Sequence, residues 1–494
     1  MLMGIRKFIY TVSAALPAGI GVIPTEARNT CLRLMPFLFT VLSALLAVVL
    51  LSGVYRSRES LAEKCGRASN YRRAFALLVL AGLVLRAFLA SCWHGHDSDM
   101  LCWIGWGSQI ADDGPAVFYT APGHEWYDYP PGYMLLLGGL TRVLRFLRID
   151  AYSNAGIFAY MLPAYAADVG IAVLLMRAAL REKLGEGWAL LLGALVIFDP
   201  AAVVLSGAWG QIDSILTLLL LLSFIALMKN RRIPAGIFYA LAVMCKWQAL
   251  IYGPVLAAAY IFSVRSRKDL LMTVGAVASA FAVILLISLP FRGEQRALWL
   301  VDRFLSAGSG YDYASVEAYN FQALLGGNWA KSSNRIFSFL SYKTFGTAAV
   351  LIAVLASVFT QYKTLRQELR HSGSSELSRR GSFLAAAFCM YTIYTFGHYM
   401  HERYVFPVIF LLLFVFLLTK DARFMFCSLL LSCVVFLNEC TAMYVVSELA
   451  SSAVRGGREH NAVVLICSVA ETLSYFVFLF VFADTRRPAK KQKD

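Results

Sequence analysis

The chain has 494 residues, 59% of them hydrophobic and only 15% charged, and its mean hydropathy is +0.64. That balance excludes a soluble domain of any size. The formal charge of +15 does not point to nucleic acid, because the basic residues fall mainly in short loops between apolar runs, where they report orientation in a membrane. Runs such as 215–228 and 270–289 are apolar all round and lack the period-two alternation of a barrel. The fold class is therefore all-α integral membrane, a polytopic bundle of about eleven to thirteen spans, each of roughly 20 apolar residues.

Taken in chain order, residues 1–70 hold apolar segments and a basic cytoplasmic loop. Arg6 and Lys7 precede a moderately apolar stretch broken by Pro17 and Gly19, which reads as a poor first span, an interfacial helix or a signal-like segment. Residues 71–420 form the transmembrane core, and 421–494 add C-terminal spans and a basic tail from Arg486 to Lys493. Further basic clusters lie at Arg177, Arg181 and Lys183, at Lys229, Arg231 and Arg232, at Arg265, Arg267 and Lys268, and from Lys363 to Arg380. With all of these cytoplasmic, the connections facing outward are 94–154, 207–213, 291–343, 397–403 and 447–460. The segment from Tyr133 to Leu147 is short and carries Arg142 and Arg145, so it reads as an amphipathic helix in the interface. The run from Ile233 to Phe262 is split near Lys246 into two half-helices. The ten cysteines follow no disulfide or metal spacing.

This orientation, drawn from charge alone, brings the unusual polar residues to one face. Asp97, Asp99, Asp128, Asp213, Lys246, His398, His401, Glu402 and Arg403 all end at or near the outer surface. An ionisable residue at membrane depth costs about 2.5–3.5 kcal/mol on insertion scales, so such a concentration marks a site. Asp97 or Asp99 is suited to act as a general base near a lipid-borne substrate, or either one caps the helix that begins at Met100. Asp97-Ser-Asp99 also has the form of a divalent-cation pair beside a diphosphate, but such pairs sit on a soluble α/β domain that is missing here, and no metal is assigned. Asp213, in Trp209-Gly-Gln211-Ile-Asp213, reads as a helix cap. Lys246, between two apolar half-helices, needs an anion, for which a phosphate is preferred to a carboxylate. Arg403 and the histidines suit a phosphate, Arg403 by bidentate contact. Asp168 and Asp199 read as structural, pairing across helices or satisfying backbone opened by Pro200.

In order, an acidic residue after an early span, Asp128-Tyr129-Pro-Pro-Gly-Tyr, Trp-Gly-Gln211-Ile-Asp213-Ser, Lys246-Trp-Gln248, Asn320-Phe-Gln and Met-His401-Glu402-Arg403-Tyr resemble the motifs of bacterial GT-C glycosyltransferases. The set is similar to that of the mannosyltransferase family related to the second-mannose transferase of glycosylphosphatidylinositol assembly, and more distantly to the lipid-phosphate-glucose glucosyltransferases. It covers about residues 75–410. The resemblance implies a GT-C-like catalytic core with a long outer first loop carrying interfacial helices. It also implies inverting transfer of a hexose, mannose favoured, at the non-cytoplasmic face of the cell membrane. The partners are a polyprenyl-phosphate-linked donor, a lipid-linked or surface glycan acceptor and membrane lipids, with no cofactor and no nucleic acid. By the same resemblance Asp99, with Asp97 second, is the base, while Lys246, His401 and Arg403 neutralise the leaving phosphate. Tyr129, Asp128, Gln211, Asp213, Gln248, Asn320, His398 and Glu402 complete the substrate-binding set. The competing reading is a transporter or flippase of a lipid-linked or polyanionic substrate, which would place its polar residues near the midplane between internal repeats.

Overall fold

A computed structural model describes residues 68–123, 127–309, 312–371, 376–449 and 462–485. The N-terminal segment, residues 450–460 of the outward loop expected at 447–460, and the basic tail lie outside them. The described residues are almost entirely helical, an all-α polytopic membrane protein. Apolar residues that run continuously through successive turns leave no polar face, so these helices must bury every backbone polar group within themselves.

The chain opens with α1 (Ala68–Trp93), followed by two shorter helices, α2 (Asp97–Asp113) and α3 (Pro131–Phe146), which pack on each other with a 3₁₀ turn at Pro115–Thr120 between them. α3 keeps Arg142 on the carbonyl of Ile110 and Arg145 on Asp112, while Leu135, Val143 and Phe146 stay exposed, as befits a helix with one apolar outer face. α4 (Asn154–Arg181) starts at Ser153, whose hydroxyl accepts from the Gly156 N–H. α5 (Glu186–Ile197) stops before Pro200, and the chain resumes as α6 (Pro200–Val203), which runs into a π-helical turn at Val204–Trp209, bent by 46° from α5. Asp199 accepts from the Ala202 N–H at 3.0 Å and so covers backbone at this break.

Then come α7 (Asp213–Met228), α8 (Arg232–Cys245), a 3₁₀ turn at Trp247–Tyr252, α9 (Gly253–Phe262), α10 (Arg267–Ser288) and α11 (Trp299–Ser309). A loop follows that carries strand β1 (Ser315–Val316), the short helix α12 (Phe321–Leu324) and a hairpin of β2 (Arg335–Phe337) and β3 (Leu340–Ser341). α13 (Tyr342–His371) and α14 (Glu376–Phe396) lead to β4 (Met400–His401), which pairs in parallel with β1. α15 (Phe406–Thr419), α16 (Ala422–Leu449) and α17 (Ala462–Asp484) complete the bundle.

Six of these helices are long and apolar enough to cross a membrane, seven if the bent α5–α6 pair is one span. The remaining apolar helices, among them α7, α8 and α15, are shorter. The expected eleven to thirteen spans are reached among the described residues only by counting these shorter helices as well. Every residue of α15 from Phe406 to Leu417 is buried, so this helix meets protein and not lipid. One continuous core runs from Leu83 to Val481.

The core also holds a buried ion pair. Arg86 on α1 donates to Asp168 on α4 at 2.9 Å and to the Ser206 hydroxyl and the Ile197 carbonyl, and it lies 4.5 Å from the centre of the Tyr165 ring. It ties α1 and α4 to the π-helical turn. Removing one member of such a pair leaves an uncompensated charge, which costs about 3–5 kcal/mol. Arg86→Leu is therefore expected to lower the thermal midpoint of the detergent-solubilised protein strongly, and Arg86→Leu with Asp168→Leu to recover part of the loss. Equal midpoints for the single and double variants would count against the pairing.

Candidate active site

The outward segments inferred from charge converge at the ends of several helices. The π-helical turn ends at Gly210, whose φ of +89° is left-handed and whose absent Cβ would lie 2.8 Å from the Met100 sulfur, so glycine is needed there on both counts. The turn is fixed by the Trp103 indole donating to the Gly210 carbonyl and by the His96 N–H donating to the Trp209 carbonyl. These bonds present Trp209 and Gln211 to Asp99. The Trp209 indole donates to Asp99 Oδ2 at 2.7 Å and the Gln211 amide to the same oxygen at 2.5 Å, with the His96 ring 3.7 Å away. Burial pushes the Asp99 carboxyl up. His96, Arg403 and the two donors outweigh it and hold the group below the ordinary carboxylate range. Asp99 Oδ1 takes no hydrogen bond from any described residue, and the side chain is 23% exposed. Asp99 is thus an ionised, oriented carboxylate with one open oxygen, and its side chain does not act as a cap. Asp97 opens α2, and its side chain lies outside the described residues.

The second half of the site is ionic. The chain leaves α8 at Lys246 in an extended conformation (φ −155°, ψ 127°), which turns the ammonium onto Asp213 with both carboxylate oxygens at 2.8 and 2.9 Å. The sequence reads Asp213 as a cap and Lys246 as needing an anion, a phosphate before a carboxylate. Instead each is the other's partner, because a lysine at this depth cannot stay charged without a carboxylate. Arg403 Nε lies 3.7 Å from Asp213 Oδ2, its Nη1 pairs with Glu402, and its guanidinium sits 5.4 Å from the centre of the Trp209 ring. Lys246 is flanked by the rings of Tyr129 and Tyr404, 5.9 and 5.5 Å away. Tyr129 donates to Gln211, which joins the two halves. Gly132 of the Pro-Pro-Gly-Tyr run is explained by packing: a Cβ there would lie 2.4 Å from the Met244 carbonyl, just before Lys246.

Two polar atoms in this half are buried without a hydrogen bond among the described residues, Arg403 Nε and Gln248 Oε1. The Gln248 amide nitrogen donates to the Tyr404 carbonyl at 2.5 Å. Asp128 shows its main-chain carbonyl to the Trp247 indole at 2.9 Å. Burial raises its carboxyl to about 6; a bond from its own backbone, Arg403 and Lys246 oppose the rise, and Asp99 adds to it. The imidazole of His401 is pushed well below its usual value by burial and by Arg403 and Lys246. It is neutral at pH 7, and the positive charge foreseen for it falls to Lys246 and Arg403.

Two expected site residues stand apart. Asn320 caps α12 by accepting from the Ala323 N–H at 3.1 Å and donates to the Tyr394 carbonyl at 2.8 Å, which makes its bonding structural. His398, three residues before His401, points into the loop of residues 312–343, where burial and the Lys343 ammonium lower its imidazole to about 4. Tyr399, at φ +63°, turns the chain between them. Sequence reasoning passed over His96, which stacks on Trp209 with ring centres 4.9 Å apart, and Trp209 itself, which touches both the base and the guanidinium. Among the described residues no group of three or more His, Cys, Asp or Glu is placed to hold a metal ion.

The class of the protein, a membrane glycosyltransferase of GT-C-like kind, is supported by a match to a family model. The model of glycosyltransferase family 87 matches residues 126–371, which include Asp128, Gln211, Asp213 and Lys246. No curated protein matches the chain.

A carboxyl raised from 3.8 to about 6 on folding holds its proton more tightly in the folded state. Its contribution to stability is full below pH 3.8 and is lost as pH rises through 6. Asp128→Asn, which does not titrate, is therefore expected to melt above the wild type at pH 7, with the gap closing toward pH 4. A gap independent of pH would show that Asp128 is not the titrating group.

Proposed function

We propose that this chain transfers a hexose, with mannose favoured, from a polyprenyl-phosphate-linked donor to a lipid-linked or cell-surface glycan acceptor, with inversion, at the non-cytoplasmic face of the plasma membrane. The observation that carries the reading is the ionised Asp99, open at Oδ1, beside a guanidinium with an unbonded Nε. Asp99 takes the proton of the acceptor hydroxyl as its oxygen attacks the anomeric carbon. The bond from that carbon to the phosphate oxygen breaks on the opposite side, and the electron pair leaves with the polyprenyl phosphate, which gains one negative charge. Arg403 and Lys246 stabilise that charge, held in place by Glu402 and Asp213. Since both cations already have carboxylate partners, the site discriminates by open donors and geometry more than by net charge. Tyr129 and Gln211 link the base to the cations, Tyr129 beside Lys246 and Gln211 on Asp99, and Gln248 bonds the Tyr404 carbonyl next to Arg403.

Orientation supports the non-cytoplasmic placement. α7, α8 and α15 each have one end at this site, at Asp213, Lys246 and just after Arg403, and their other ends carry Lys229, Arg232 and Lys420.

The test uses purified protein, polyprenyl-phosphate-mannose or polyprenyl-phosphate-glucose carrying radiolabelled sugar, and a membrane lipid extract as acceptor. Wild type is expected to transfer mannose in preference to glucose. Asp99→Asn keeps the size and removes the base, so it should lose about 10²–10⁴-fold in rate. Asp97→Asn is expected to be milder, and Arg403→Lys to weaken use of the donor because lysine cannot make bidentate contact. Retained transfer in Asp99→Asn would sink the assigned base, and transfer from neither donor would move weight to a transporter.

A further inference from the structure

The hairpin of β2 and β3 carries an apolar tip that no described part of the chain covers. Ile336 points inward onto Ala314, Ala330 and Tyr342, while Phe337 and Phe339 point outward, 57% and 84% exposed, with their rings stacked 6.2 Å apart. Two stacked phenyl rings held in water are costly, and unlike Trp or Tyr they have no polar edge to offer it. The tip is flanked by Lys331, Arg335 and Lys343, all exposed, and the sequence from 331 to 343 contains no acidic residue. The carboxylate facing this group is Asp312, which already accepts from Ser332 and from the Tyr399 hydroxyl. Under the orientation inferred from charge these basic residues lie on the outward side, against the usual tendency. Asp312 answers part of the charge of Lys331 and Lys343, and the cations that ring the apolar tip suit an anionic surface.

Position identifies the partner. β3 runs directly into α13, whose first residue is Tyr342 and which is a candidate membrane span with Leu351, Ile352, Leu355 and Phe359 exposed. A tip three residues before such a helix lies within about 10 Å of its end, inside the headgroup layer of a bilayer about 30–45 Å thick.

We propose that the hairpin inserts Phe337 and Phe339 into the outer leaflet while Lys331, Arg335 and Lys343 hold anionic phospholipid headgroups. The insertion is coupled to the site: Lys343 N–H bonds to the Ser332 carbonyl, Ser332 and Tyr399 both bond Asp312, and Tyr399 directly precedes β4, which carries His401 and pairs with β1. The inference does not depend on which sugar is transferred, or on transfer itself.

The full chain with Phe339→Trp is placed in nanodiscs of phosphatidylcholine with phosphatidylglycerol, the acyl chains brominated or not, and its emission is read as the difference from wild type. The expected result is blue-shifted added emission, mostly lost with brominated chains and insensitive to acrylamide. Red-shifted emission that acrylamide quenches and bromine does not would overturn the proposal. So would burial of the added indole, insensitive to both quenchers, in a particle holding two copies of the chain, which would make the hairpin a dimer contact. In parallel, replacing phosphatidylcholine by phosphatidylglycerol should raise the melting midpoint of wild type more than that of Lys331→Gln/Arg335→Gln/Lys343→Gln. An equal gain in both would refute the headgroup contacts.

Discussion

A lysine ammonium at the break between two apolar half-helices cannot remain charged there without a carboxylate against it, and Asp213 meets that need with both oxygens. Much of the site follows from this pair. It sets where α7 begins relative to where α8 ends, it leaves Asp213 Oδ2 near Arg403, and it brings the Lys246 charge between the rings of Tyr129 and Tyr404. Tyr129 in turn bonds the glutamine that orients Asp99. An ionic contact between residues 33 apart in sequence thus fixes one edge of a site whose other edge is an ionised carboxylate held by two neutral donors.

Helix length adds a second constraint. α7 has 16 residues and α8 and α15 have 14 each, which rise roughly 21–24 Å at 1.5 Å per residue, short of a hydrocarbon core about 30 Å thick. With their basic ends at one surface, their other ends stop below the opposite one. The turns that carry Asp213, Lys246 and Arg403 then lie at the short ends of these helices. The rings of Trp103, Trp106, Tyr127 and Tyr133 pack edge to face beside these groups, and the polar atoms of Trp103 and Tyr127 are spent within the protein, on the Gly210 carbonyl and on Gln109.

Much of this was legible in the sequence, for a physical reason. Charged residues in apolar surroundings are so costly that their positions alone outline a site, and placing basic loops on one side sorted Asp99, Asp213, Lys246 and Arg403 to the other. What one-dimensional spacing hides is who faces whom. Asp213 sits at the start of a helix and reads as a cap until the chain returns with a lysine. His398 and His401 read as a pair until the left-handed Tyr399 turns one of them into the neighbouring loop. Asn320 has the composition of a ligand-binding residue but spends its bonds on backbone. Arg86 went unnoticed although it lies in an apolar helix just as Asp168 does; two opposite mid-span charges were the signal that they belong together.

Trp209 joins the two halves of the site through one side chain. Its indole N–H is bonded to the carboxylate of Asp99, and its face lies against the guanidinium of Arg403. Indole emission depends on both hydrogen bonding and a nearby cation, so anything that draws the guanidinium off the ring, or loads a proton onto the carboxylate, changes the light this residue gives out. The candidate site thereby contains its own optical reporter of both the carboxylate and the guanidinium.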